Sequence, residues 1–119
     1  MARILLSDDD AMVRDLFERV LAAGGHQVFI AQDGQEALAW AETSGPFDVL
    51  VTDVHMPGID GITLAKALTA KQPGLKILLM SGFPEQLHRG KAEIPGHVET
   101  LTKPCSIDDI RARIKALTG

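Results

Sequence analysis

The 119-residue chain has one cysteine, no tyrosine, four phenylalanines and one tryptophan. A single thiol, Cys105, rules out an internal disulfide, which agrees with a reducing compartment. Aromatic residues make up only 4% of the chain, too few for the stacking platform that single-stranded nucleic acid usually needs. Positive charge is also scarce: 12 Lys and Arg face 16 Asp and Glu, for a formal net charge of −4. No basic phosphate-binding surface is expected, and with it no direct binding of nucleic acid. Long apolar runs are missing too. A run such as Ile77 to Met80 falls far below the roughly 18 to 20 residues of a membrane helix. Ile4-Leu5-Leu6 is too short for a signal-peptide core of about 7 to 15 residues. The expectation is a cytoplasmic protein with no membrane partner.

What the chain does have is apolar residues, 45% of the total, enough for one domain over residues 1–119 with a working core. Two kinds of segment alternate along it. Ile4 to Ser7, Gln27 to Ala31, Phe47 to Thr52, Lys76 to Met80 and Val98 to Thr102 are short, apolar or β-branched, and bounded by Gly, Pro or Asp; these read as strands. Between Ala11 and Ala23, the residues Val13, Leu16, Phe17, Val20 and Leu21 recur at helical spacing before Gly24-Gly25. Asp33 can cap a second helix running through Thr43. Asp60 can cap a third from Gly61 to Lys71, and Ser106 with Asp109 can open a last one carrying Ile107, Ile110, Ile114 and Leu117. A fourth helix is needed between Ser81 and Val98, but Pro84, Gly90, Pro95 and Gly96 interrupt that stretch. The pattern there predicts a short, frayed or mobile element.

Five strand-helix alternations imply a parallel sheet covered on both faces, with ligands gathering at the carboxyl ends of the strands. Those ends carry Asp8-Asp9-Asp10, Asp53, Ser81-Gly82 and Lys103-Pro104. Crowded carboxylates repel one another unless a cation neutralises them, and an all-oxygen cluster suits a hard ion such as Mg²⁺. A carboxylate beside Mg²⁺ can attack phosphorus while the metal and a lysine neutralise the phosphoryl oxygens. Asp53 has the neighbours for that role; Ser81 could hydrogen-bond a phosphoryl oxygen, and Gly82 leaves room for its own N–H to approach.

The runs Ile4-Leu5-Leu6-Ser7-Asp8-Asp9-Asp10, Asp53-Val54-His55-Met56-Pro57-Gly58-Ile59-Asp60-Gly61, Met80-Ser81-Gly82 and Thr102-Lys103-Pro104 together resemble the response-regulator receiver domain of two-component signalling. The resemblance covers the whole chain. It implies a three-layer, doubly wound α/β fold, (βα)5 and flavodoxin-like, with a five-stranded parallel sheet of order 2-1-3-4-5. It makes Asp53 the phosphoacceptor for a histidine kinase or histidine phosphotransfer protein, with intrinsic autophosphorylation and slow autodephosphorylation. Asp9 would ligate Mg²⁺ directly, with Mn²⁺ as a substitute; Asp8 would act largely through a metal-bound water, and the backbone carbonyl of His55 would supply another ligand. Ser81 stands at the family's switch hydroxyl and Lys103 at its phosphate-pairing lysine. A downstream protein target would dock on the surface from the fourth to the fifth helix. The expected organisation is a receiver with no output domain, the alternatives being the receiver portion of a hybrid histidine kinase or a Mg²⁺-dependent aspartyl phosphohydrolase.

The chain departs from the family's pattern at three places. Thr100 occupies the usual aromatic switch position, which makes Phe83, two residues past Ser81, the candidate output reporter; Cys105 replaces the common Phe after Lys-Pro. Simpler roles suit other residues: Asp60 reads as a helix cap, Cys105 and Trp40 as packing residues, and the His55 side chain as a tuner of access to the site rather than a metal ligand.

Overall fold

The computed structural model describes residues 1–119. Strands β1 (Arg3–Ser7), β2 (Gln27–Ala31), β3 (Val49–Asp53), β4 (Lys76–Ser81) and β5 (Val98–Thr102) alternate with helices α1 (Ala11–Ala23), α2 (Gly34–Ser44), α3 (Gly61–Lys71), α4 (Pro84–Glu93) and α5 (Ile107–Thr118). The strands form one parallel sheet in the order β2-β1-β3-β4-β5. This is the doubly wound arrangement expected, with its switch in strand order between β1 and β3.

Successive strand residues point into different helical layers. Leu5, Leu50, Ile77 and Leu79 pack with residues of α2, α3 and α4, while Ile4, Leu6, Val49, Val51, Leu78 and Met80 pack with residues of α1 and α5. A sheet buried on both faces needs apolar residues at every strand position, which is why β1, β3 and β4 are continuous apolar runs. The helices start where side chains satisfy their free N–H groups. Asp10 accepts from Met12 and Val13, Asp33 from Glu36, and Asp60 from Thr63, while Ser106 and Asp109 form a reciprocal capping box. Trp40 is half-buried as expected, its indole N–H on the Ile30 carbonyl at 2.8 Å and its ring edge-on to Phe29.

Two local expectations need correction. Strand β3 begins at Val49 rather than Phe47. The amide of Phe47 goes to a side chain at the end of α3 instead of to a strand, donating to Gln72 Oε1 at 3.2 Å. Asp48 adds a side-chain bond to the start of β1, its carboxylate accepting the Arg3 N–H at 2.7 Å. The fourth helix is the shortest of the five but forms a regular ten-residue element. Pro84 sits in its first turn, where the missing N–H costs no helical bond. Gly90, which reads as a breaker, is instead the contact point with the sheet. A Cβ there would lie 2.2 Å from Leu79 Cδ2, so a side chain at this position would require the Leu79 side chain to shift. No helix is long and apolar enough to cross a membrane.

Candidate functional site

Parallel register builds the site. Ser7 pairs with Thr52 across β1 and β3, so Asp8 and Asp53, one residue further on, emerge side by side at the carboxyl rim. On the other side of β3, Asp53 pairs with Met80, which puts Ser81 one step beyond it; Ser81 in turn pairs with Thr102, and Lys103 follows. Four chain segments thus deliver their polar residues to adjacent positions. The β1–α1 turn is fixed from within: Asp8 Oδ1 accepts the Asp10 N–H at 2.8 Å, and Arg14 reaches back from α1 to the Asp8 carbonyl, also at 2.8 Å.

Carboxylate oxygens of Asp8, Asp9 and Asp53 lie within 4.8 Å of one another. Lys103 is the one cation bonded into this cluster, its Nζ 2.9 Å from Asp53 Oδ2 and 3.1 Å from Asp8 Oδ2. Asp8 has no solvent exposure, whereas the Asp53 side chain is 12% exposed and makes its hydrogen bond through Oδ2 alone. Asp53 Oδ1 is therefore the carboxylate oxygen of the buried pair left free to react. Burial pushes the Asp8 pKa above the ordinary 3.8, and Asp53 adds to the push, against the opposing pull of the Asp10 amide and Lys103. Burial works to lower the Lys103 pKa, but the two carboxylates outweigh it and hold that pKa above 10.5. An all-oxygen donor set, with more negative charge than one ammonium can balance, fits a hard divalent cation. The exposed His55 lies two residues past Asp53, with its backbone next to this cluster in sequence.

The remaining candidate residues occupy the β4–α4 side. Ser81 is 2% exposed, its hydroxyl 2.7 Å from Gln86 Oε1 and accepting the Phe83 N–H at 3.0 Å. Around Gly82 there is space, as a Cβ there would meet nothing nearer than the Lys103 carbonyl at 3.9 Å. Phe83 is 57% exposed. Thr100 is half-buried on β5 and lines a cavity of about 250 Å³ with Pro84, Leu87, His88, Lys91 and Thr102. The Lys103–Pro104 peptide is cis. Cys105 is half-buried against the α1–α5 core, where burial pushes its thiol pKa up, in keeping with packing.

Sequence reasoning passed over Gly61 and Gln86. A Cβ on Gly61 would stand 2.0 Å from the Asp53 carbonyl oxygen and 2.8 Å from its carbonyl carbon. The Gly61 N–H bonds the Val54 carbonyl at 2.8 Å, so the start of α3 presses directly on the backbone of Asp53. The available signal was a glycine at the first helical position after a capping Asp60, where no turn demands it. Gly61→Ala is expected to destabilise the fold by about 3 kcal/mol, since backbone atoms must move to admit the methyl group. Urea denaturation reads this directly; a loss below about 1 kcal/mol would show that the close approach is not required.

The chain matches the response regulator receiver domain family over residues 4–115. It is 36% identical over 115 residues to the response regulator MprA of Mycolicibacterium vanbaalenii, a match covering 97% of this chain and 49% of that protein. The chain spans about half the length of the curated relatives it matches. Among solved structures it is similar to the chemotaxis protein CheY4 of Vibrio cholerae, with 31% identity, a TM-score of 0.87 and 98% of each chain covered. It is also similar to the response regulator TrrA of Thermotoga maritima, solved in complex with Mg²⁺-BeF. The identity there is 29% and the TM-score 0.85, with 98% of this chain and 99% of that one covered.

Proposed function

Because the chain belongs to the response regulator receiver domain family, we propose that it accepts a phosphoryl group on Asp53 from a histidine kinase or phosphotransfer protein. The observation that carries this reading is the state of Asp53: one carboxylate oxygen is held by Lys103 and the other is free, beside two further carboxylates. Asp53 Oδ1 attacks phosphorus in line with the bond to the donor. An O–P bond forms and the N–P bond of a phosphohistidine breaks, its electron pair staying on the imidazole nitrogen. The product is an acyl phosphate. Lys103 holds the carboxylate in place and neutralises charge on the phosphoryl oxygens. Ser81 donates a hydrogen bond to one of them. Asp9, Asp53 and the His55 carbonyl would hold Mg²⁺ directly, with Asp8 acting largely through a metal-bound water, and the ion would supply the further positive charge that the transferring group needs. The His55 side chain, exposed two residues past Asp53 in sequence, tunes the access of water and phosphodonor.

The new phosphate adds about −1.5 to −2 charges at the rim, and the signal leaves through changed contacts on the surface from α4 to α5, where a protein target docks. A cytoplasmic location goes with a cytoplasmic kinase as donor. The test is intact-mass analysis after incubation with acetyl phosphate, with and without Mg²⁺, followed by peptide mapping. One phosphoryl adduct that needs Mg²⁺ and maps to Asp53 is expected. Absence of an adduct, together with failure to bind beryllofluoride with Mg²⁺, would leave a phosphorylation-independent binding module instead.

A further inference from the structure

The Ser81 hydroxyl is engaged on both sides before any phosphate arrives. It has one proton to donate and lone pairs to accept with. The Phe83 N–H already donates to it at 3.0 Å, and its own proton goes to Gln86 Oε1 at 2.7 Å. Gln86 is half-buried in the first turn of α4, and its backbone N–H is tied locally to the Phe83 carbonyl at 3.0 Å. That turn has little else to hold it. Phe83 provides no side-chain cap, Pro84 has no N–H, and the buried contacts of the helix, Leu87 and Gly90, lie further along. The Gln86 carboxamide is thus the side-chain link between the start of α4 and the end of β4.

We propose that Gln86 is a positioning residue that holds the Ser81 hydroxyl away from the phosphoryl site, so that recruiting Ser81 to the phosphate releases the first turn of α4. The proposal rests on the receiver reading above and adds to it the group with which the phosphate competes. One hydroxyl proton cannot serve Gln86 and a phosphoryl oxygen together. When it turns to the phosphate, Gln86 loses its donor and the Phe83 N–H loses the geometry of its acceptor. Both losses fall on the segment Phe83–Gln86, which borders the cavity under Thr100. With threonine at position 100 there is no aromatic ring on β5 to report the movement of Ser81. The Gln86 link supplies a route that needs none.

Beryllofluoride with Mg²⁺, a phosphoryl mimic, serves as the probe on the full chain, with binding followed by calorimetry and backbone NMR. Gln86→Ala removes the competing acceptor and should tighten binding about threefold to tenfold, the range for one neutral hydrogen bond. Gln86→Glu keeps an acceptor, strengthens it by charge, and should weaken binding. In a Ser81→Ala background the Gln86→Ala change should have no effect, because the two residues act through one bond. The Phe83 amide resonance of free Gln86→Ala should also lie nearer its position in the beryllofluoride-bound wild type, a signature that a general loss of helix stability would not produce. Unchanged or weaker binding by Gln86→Ala overturns the proposal, as does tightening that persists without the Ser81 hydroxyl. Failure of wild type to bind overturns the receiver reading and this inference with it; binding by wild type with no response at Gln86 overturns the inference alone.

Discussion

Asp53→Asn leaves no phosphoryl adduct after treatment with acetyl phosphate and Mg²⁺, a loss of at least about 100-fold against wild type. The substitution is close to isosteric but replaces an anionic oxygen with a weakly nucleophilic amide. The other two acids cannot easily take over. Both oxygens of Asp8 are committed, one to the Asp10 amide and one to Lys103, in a residue with no solvent exposure. Asp9 is exposed on the β1–α1 turn and has no hydrogen bond to Lys103. Intact-mass analysis of both proteins under the same donor concentration gives the answer. An adduct that survives the substitution and maps to Asp8 or Asp9 would move the acceptor to β1 and overturn the assignment of Asp53.

Lys103→Met is expected to act twice. Phosphorylation slows about 100-fold, the order of effect when one preorganised charge-stabilising donor is removed from a reacting site. In metal-free buffer near neutral pH the fold also loses about 2 kcal/mol. Removing one partner from a buried charge cluster leaves the others uncompensated, and the 22% exposure of Lys103 moderates the penalty. Added Mg²⁺ should restore much of that loss by taking over the neutralisation. The alkaline limb of stability gives an independent reading. The folded-state pKa of Lys103 is raised above 10.5, so its contribution is complete below 10.5 and disappears as pH rises through the folded value. Lys103→Met should lack that limb. Denaturation curves with EDTA and with Mg²⁺ test the argument; equal metal-free stability of the two proteins would mean that Lys103 does not offset the carboxylate repulsion.

The layered architecture was legible because the sheet leaves simple traces. Each central strand is an apolar run closed by a polar residue, and α1 shows its buried stripe at Phe17, Val20 and Leu21. The juxtaposition of Asp8, Asp9, Asp53 and Lys103 followed from topology alone, since a parallel sheet gathers the ends of its strands whatever their separation along the chain. What could not be read depends on distances between elements. Gly90 and Gly61 look like breakers or caps in a linear pattern, and only the approach of the Leu79 side chain and of the Asp53 carbonyl shows what a side chain at each would displace. The start of β3 was also set too early, since the Phe47 amide bonds the Gln72 side chain, which is remote in sequence. Gln86 had no motif to announce it; its partner is five residues away, but the pairing exists only because α4 turns back over the end of β4.

The contact between Gly61 and Asp53 has a mechanical consequence. Helix α3 buries Gly61, Ile62, Leu64, Ala65, Leu68 and Thr69, whereas α4 buries Leu87 and Gly90. With its backbone against the first turn of the better anchored helix, Asp53 has a stiff backstop. On the far side of β4 the start of α4 is held more lightly. The acceptor carboxylate thus sits on a main chain that α3 pins in place, and the part of the rim with the fewest anchors is the one that carries Ser81's partner Gln86.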